Sequence, residues 1–267
     1  MHKLKIAALA LVMGTVATSL QAKDYAVIAA DDIRWGLLNP LRGEASPKAA
    51  DLWGDRTKNK ATGMLVKFNQ GFSSPPHIHN ITYRGIVIEG LMHNDDPGAH
   101  KMWLPVGSFW TQPAGESHIT AADGQSNTIY LEIDSGPYLV QPPENAFDNG
   151  ERPINTAARN LVWLDAEDVS RLSENKVKLA YLWGAPDAAN GSFVKLPAGF
   201  KGSITNDQGL KAVVITGKAT HQWQNKDTPV LLSPGSFFSS EGVGEHHVEA
   251  EVETMLYINS TNRYYIK

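Results

Sequence analysis

The chain is punctuated into short apolar runs by clusters of Gly, Pro, Asn and Asp. Met64-Leu-Val-Lys-Phe68, Gly85-Ile-Val-Ile-Glu89 and Asn127-Thr-Ile-Tyr-Leu-Glu-Ile133 are rich in β-branched and aromatic residues, and turn formers bound each of them. That pattern predicts strands. Only Asp165 to Leu172 has a composition suited to one or two helical turns. The 23 glycines and 15 prolines are spread along the chain rather than bunched, as many turns between short strands require. The expectation is an all-β protein.

The runs repeat. Leu52-Trp53-Gly54 returns as Leu182-Trp183-Gly184, and Ile86-Val87-Ile88-Glu89-Gly90 as Val213-Val214-Ile215-Thr216-Gly217. Gly107-Ser108-Phe109-Trp110 returns as Gly235-Ser236-Phe237-Phe238, and Thr128-Ile129-Tyr130-Leu131 more loosely as Met255-Leu256-Tyr257-Ile258. The offsets are 130, 127, 128 and 127 residues, near enough to constant to indicate an internal duplication. Two barrel-like halves follow, 23–140 and 158–267, with the polar, Pro-rich stretch 141–157 as connector.

Residues 1–22 are of another kind. Lys3 and Lys5 precede an apolar run from Ile6 to Ala17, and small Ala22 ends the segment before polar Lys23. This is the pattern of a secretory signal peptide, with an apolar run too short to span a bilayer comfortably. The expectation is a periplasmic or secreted protein with no stable membrane anchor after cleavage. The whole chain carries 24 Lys and Arg against 28 Asp and Glu, a formal charge of −4, and removal of 1–22 leaves −6. No basic block stands out, so nucleic acid is not an expected partner. The absence of cysteine excludes disulfides and thiolate metal sites, so the core alone must hold the fold.

Candidate chemistry gathers on histidine. Gly71 is followed by His77, His79, Tyr83 and Gly90, and Gly107 by Pro113, Gly115 and His118. On a strand His77 and His79 share a face, and a third imidazole from a neighbouring strand completes a three-nitrogen set for a divalent transition metal with positions left open. The spacings G-x5-H-x-H-x3-E-x6-G and G-x5-P-x-G-x2-H resemble the two signature motifs of the cupin superfamily. With the duplication, the mature chain resembles a bicupin, which implies two tandem jelly-roll β-barrels. The His-Asn-x-x-Tyr-Arg-Gly segment resembles the DUF4437 group and, more distantly, the cupin domain of ChrR-type anti-sigma factors.

Two positions depart from the motifs. Tyr83 stands where the usual Glu ligand would be, and Ala122 where an Asn often follows the second motif. The remaining His77, His79 and His118 resemble the three-histidine cupins, which include iron(II)-dependent thiol and diketone dioxygenases. For Tyr83, packing and hydrogen bonding beside the metal are both open; direct ligation is disfavoured because phenol is a poor ligand until it loses its proton near pH 10. Glu132 is expected on a solvated outer face, with a hydrogen bond to a ligating histidine as the alternative. Arg84 is expected in solvent or between the barrels, and His93 and His100 in a surface loop. Glu249, Glu251 and Glu253 read as an exposed strand face and not a calcium site.

In the second half Thr205 and Asp207 replace the two histidines, Glu241 replaces the proline, and either His246 or His247 aligns with His118. A degenerate site is expected there. The resemblance implies a metal-dependent, dioxygenase-like enzyme acting on a small molecule; the alternative is a non-catalytic metal- or ligand-binding or sensing protein. Iron, zinc, manganese and nickel all suit the donor set, and a homodimer is an expected assembly for two-barrel cupins.

Overall fold

The computed structural model describes residues 25–173, 176–224 and 228–267, and the predicted export segment 1–22 lies outside them. Among the described residues the helical elements are four short 3-10 segments, and the remaining regular structure is strand. Asp165 to Leu172 forms turns without becoming a helix, with the Val169 N–H donating to the Asp165 carbonyl.

Two large antiparallel sheets carry the architecture. The first runs Ile154–Thr156, Phe109–Gln112, Tyr83–Glu89, Asn127–Ile133, Thr62–Phe68, Lys48–Trp53, Gly36–Leu37. The second runs Tyr25–Ile28, Phe237–Ser240, Leu210–Thr216, Thr254–Ser260, Asn190–Leu196, Lys178–Gly184. From the second strand to the sixth the two orders correspond strand for strand, the first sheet adding Gly36–Leu37 at its far edge, and the sequence echoes fall on corresponding strands. Smaller sheets face them. In the first half these pair Met92–Asp95 with Ile119–Ala122 and Ile78–His79 with Val140–Gln141; the second half has one of five strands.

The edge strands are exchanged. Tyr25–Ile28 precedes the first half in sequence but pairs with Phe237–Ser240 of the second. Ile154–Thr156, within the stretch read as connector, pairs with Phe109–Gln112 of the first. The first half thus supplies a strand to the second half's sheet, and the connector supplies one to the first half's sheet.

Three apolar cores result, one inside each half and one between the two large sheets. Along Asn127–Ile133, Ile129, Leu131 and Ile133 point into the first half's own core, beside Met64, Val66 and Val87. Tyr130, one residue out of phase, joins Leu65, Ile86 and Phe109 in the layer that meets Phe193, Val213 and Phe237. The Trp residues of the two Leu-Trp-Gly copies seal this layer: the Trp53 and Trp183 indoles donate to the Tyr130 and Tyr257 hydroxyls at 3.0 and 2.9 Å. Gly63 and Gly191 make room for them, since a Cβ at either would overlap the indole.

This middle layer corrects the expectation for Glu132. The residue is 1% exposed and faces neither solvent nor the histidines. Its carboxylate accepts from Tyr257 Oη (2.6 Å), Tyr130 Oη (3.1 Å) and Asn259 Nδ2 (3.1 Å), and lies 3.3 Å from the Arg84 guanidinium. The face read as outer is the face the second sheet covers, which alternation along one strand cannot reveal. Arg84 takes the inter-barrel position, stacked 4.0 Å over the Trp183 ring and paired with Asp134 at 2.6 Å. His93 is also corrected: it lies on Met92–Asp95, 1% exposed, whereas His100 is exposed as expected. Glu249, Glu251 and Glu253 are exposed, the first two paired with Lys201 and Lys218.

Candidate metal centre

Three backbone segments bring the histidines together. Ile78–His79 pairs with Val140–Gln141, and His77 bridges His118 through reciprocal backbone hydrogen bonds of 3.0 and 3.1 Å. His77 and His79 project to one side and Ile78, fully buried, to the other, as the period of two dictates. One ring nitrogen from each of His77, His79 and His118 lies within 4.8 Å of the others, and all three residues are buried.

The other nitrogen of each ring is held. Nδ1 of His77 meets the Pro75 carbonyl at 2.9 Å, Nδ1 of His79 the Leu139 carbonyl at 2.9 Å, and Nδ1 of His118 the Glu116 carbonyl at 3.1 Å. A carbonyl only accepts, so each Nδ1 carries the hydrogen and each Nε2 keeps its lone pair. This is the arrangement by which metal-binding imidazoles are oriented from behind. Burial also holds the rings neutral. It lowers His77, drives His79 well below the ordinary histidine range, and pushes His118 down to about 3. Three neutral imidazoles with no carboxylate in the set fit a borderline transition metal and leave coordination positions open.

Tyr83 hydrogen-bonds as well as packs. Its hydroxyl donates to Asn94 Oδ1 at 2.8 Å and lies 3.5 Å from His118 Nε2. Asn94 donates to Gln112 Oε1 (2.7 Å), and Gln112 Nε2 donates to the same Glu116 carbonyl that holds His118 (3.2 Å). The chain of bonds thus runs from Tyr83 to the carbonyl that orients His118. Burial raises the Tyr83 phenol further above neutrality, which keeps its proton in place.

Sequence reasoning missed Tyr138, whose ring stacks on His79 at 4.4 Å and whose hydroxyl lies 3.1 Å from His79 Nε2. It missed Asn94 and Gln112 as well. A cavity of about 340 Å3 opens beside the imidazoles. Phe68, Phe72, Leu131 and Tyr138 are among its walls, His77, His79 and Tyr83 among its polar groups, and Arg42 on the segment Pro40–Ala45 also lines it.

The second half has no such set among the described residues. His246, fully buried, is the counterpart of His118, while His247 is half-buried and faces Glu245 at 3.5 Å. His246 Nδ1 lies 2.9 Å from Nε2 of His221, and its own Nε2 lies 3.1 Å from Ser240 Oγ. Both imidazoles are thereby engaged within the protein. Asp207, where a second ligand would stand, is exposed.

The fold is shared with solved proteins of low sequence similarity. A candidate dioxygenase from Nostoc punctiforme superposes with a TM-score of 0.68 at 13% identity, covering 91% of this chain and 85% of its own. Ylba from E. coli, a protein of the DUF861 family model, gives 0.62 at 15% identity, with coverage of 90% and 91%. A variant of salicylate 1,2-dioxygenase from Pseudoaminobacter salicylatoxidans, solved in complex with gentisate, gives 0.56 at 14% identity, with coverage of 82% and 78%. At these identities the likeness establishes the cupin fold alone. No curated protein matches the sequence. The family model described as "Domain of unknown function (DUF4437)" matches residues 26–267, and the chain belongs to that family.

Proposed function

We propose that this protein is a metal-dependent bicupin that binds one divalent transition metal ion through Nε2 of His77, His79 and His118 and performs dioxygenase-like chemistry on a small molecule in the adjoining cavity. The observation that carries the proposal is the fixed tautomer of all three imidazoles, each Nδ1 held by a backbone carbonyl while the three rings converge. Two of the solved proteins that share the fold are described as dioxygenases, which motivates the choice of reaction class. When bound, the metal supplies Lewis acidity and open positions for oxygen and substrate. The chain's own residues do the rest. The Leu139, Pro75 and Glu116 carbonyls orient the ligating rings, Tyr83 holds Asn94 beside His118, and the Tyr138 hydroxyl, 3.1 Å from His79 Nε2, is free to donate on the cavity side once that nitrogen binds metal. The walls of Phe68, Phe72 and Leu131 exclude water. Iron(II) suits this reading best; zinc, manganese and nickel fit the same nitrogens. We place the protein in the periplasm or outside the cell on the strength of residues 1–22.

A second reading, binding or sensing without turnover, is favoured by one observation: among the described residues no carboxylate lines the cavity to serve as a general base. Metal analysis of protein from its native compartment, wild type against the His77→Ala, His79→Ala double variant, tests the centre. The expected result is one metal ion per chain, lost in the double variant. Oxygen consumption by the iron-loaded protein then separates the readings, since a ligand that saturates the cavity without turnover supports the second. A wild-type protein that takes up no metal even after reconstitution overturns the enzyme reading and leaves the binding of a small ligand without metal.

A further inference from the structure

We infer that Arg42 is an anion-recognising residue, so that the cavity beside the histidines takes a small, largely apolar molecule bearing one carboxylate or an equivalent negative group. The inference rests on the reading of this cavity as the ligand site and names the class of ligand.

Three observations carry it. First, Arg42 is the one Lys, Arg, Asp or Glu among the described residues lining the cavity, and its neighbours there are apolar side chains, phenols, neutral imidazoles and the uncharged polar side chains of Asn39, Ser74 and Thr120. A single positive charge beside low-dielectric walls sets the field an entering ligand meets.

Second, the guanidinium has no carboxylate partner among the described residues. Arg56 pairs with Asp51, Arg84 with Asp134, Arg152 with Asp148 and Arg263 with Asp187. Arg42 thus keeps its planar fork of donors available for bidentate capture of a carboxylate.

Third, the segment that presents it is pinned. The Asn39 side chain accepts from the Leu41 N–H at 3.1 Å, and the Asn39 N–H donates to Ser46 Oγ at 2.9 Å. The Ser46 N–H closes back on the Gly43 carbonyl at 3.0 Å, across a backbone where Gly43 adopts φ +53°. Ser46 is itself buried. The loop therefore fixes the backbone from which Arg42 reaches the cavity and lowers that part of the ordering cost of binding. The volume of about 340 Å3 lies at the small end of ligand cavities, which admits one ring or a short chain.

Calorimetric titration of the full chain decides the matter. The probes are benzoate, salicylate, phenylacetate and hexanoate, each beside its neutral primary amide. They are run on chelator-treated and on zinc-loaded protein, for wild type, Arg42→Gln and Arg42→Lys. Wild type is expected to bind at least one carboxylate about tenfold or more tightly than its amide, the scale of a charge-assisted pair. Arg42→Gln should abolish that preference while leaving the amide's affinity unchanged, and Arg42→Lys should keep part of it. Added salt should shrink it, because Arg42 reaches solvent. The inference fails if wild type prefers none of the carboxylates, or if the preference survives in Arg42→Gln. Survival in the zinc-loaded protein alone would assign the anion to the metal in place of Arg42. The chelator-treated arm keeps the two questions apart, since it reads the Arg42 effect whether or not the histidines bind metal.

Discussion

A buried imidazole that must stay neutral ties folding to pH. Histidines in the unfolded chain titrate near pH 6.5. In the folded protein burial lowers all three candidate ligands, His118 to about 3, and in the second half lowers His221 to about 4. Between the folded and unfolded values the unfolded chain binds more protons than the folded one. Stability must therefore be full above about pH 6.5 and fall as the pH drops through that value toward the folded ones. Each group adds a slope of up to about 1.4 kcal/mol per pH unit. Urea midpoints of chelator-treated protein at pH 7, 6 and 5 are expected to decline in order; a flat series would show that these rings are not held neutral by the fold. Metal loading should steepen the decline, because protons compete for the ligating nitrogens. The histidines themselves were legible in the sequence because two of them sit one period apart on a strand and the third recurs at a motif spacing. Their supports were not. Tyr138 approaches His79 from 59 residues away, and the carbonyls of Pro75, Leu139 and Glu116 are backbone atoms with no signature in residue type.

At the scale of elements, the strand Asn127–Ile133 shows what alternation conveys and what it omits. Its phase was readable: Ile129, Leu131 and Ile133 on one face, Tyr130 and Glu132 on the other. What covers the second face was not, because Tyr257 and Asn259, which meet Glu132, lie 125 and 127 residues further along the chain. The result is a carboxylate shared by two equivalent Trp–Tyr pairs, Trp53 with Tyr130 and Trp183 with Tyr257, and countered by Arg84. Asn259, at the position of the second half that echoes Glu132, completes the set with its amide. A carboxylate at both positions would place two negative charges together in a buried layer, so the Glu–Asn asymmetry lets one arginine suffice. Removing the shared acceptor leaves the two phenols and the Asn259 amide without their partner and Arg84 with Asp134 alone. Glu132→Ala is expected to cost about 3–5 kcal/mol of stability, measured by denaturant unfolding, with no change in metal content. A variant that kept its stability but lost metal would instead tie Glu132 to the histidine site.

For the molecule as a whole, the exchanged strands and the middle core make the two halves one folding unit. Cutting between them would strip Ile154–Thr156 from the first large sheet and Tyr25–Ile28 from the second, leaving an open edge on each. It would also bare Leu65, Ile86 and Phe109 on one side and Phe193, Val213 and Phe237 on the other. Each such side chain is worth about 1.5–3 kcal/mol when taken from water, so the bared faces together forfeit much of the stability a domain has. The duplication visible in the sequence thus describes how the chain is patterned without marking where it can be divided. Scanning calorimetry of the full chain is expected to give a single transition whose calorimetric and van't Hoff enthalpies agree. A fragment ending at residue 140 should aggregate when expressed alone and become soluble only when the remainder of the chain is supplied. Two resolved transitions, or a soluble and well-folded first half, would show that the middle layer couples the barrels weakly. The metal site would then be the property of one autonomous barrel, and not of the interlocked pair.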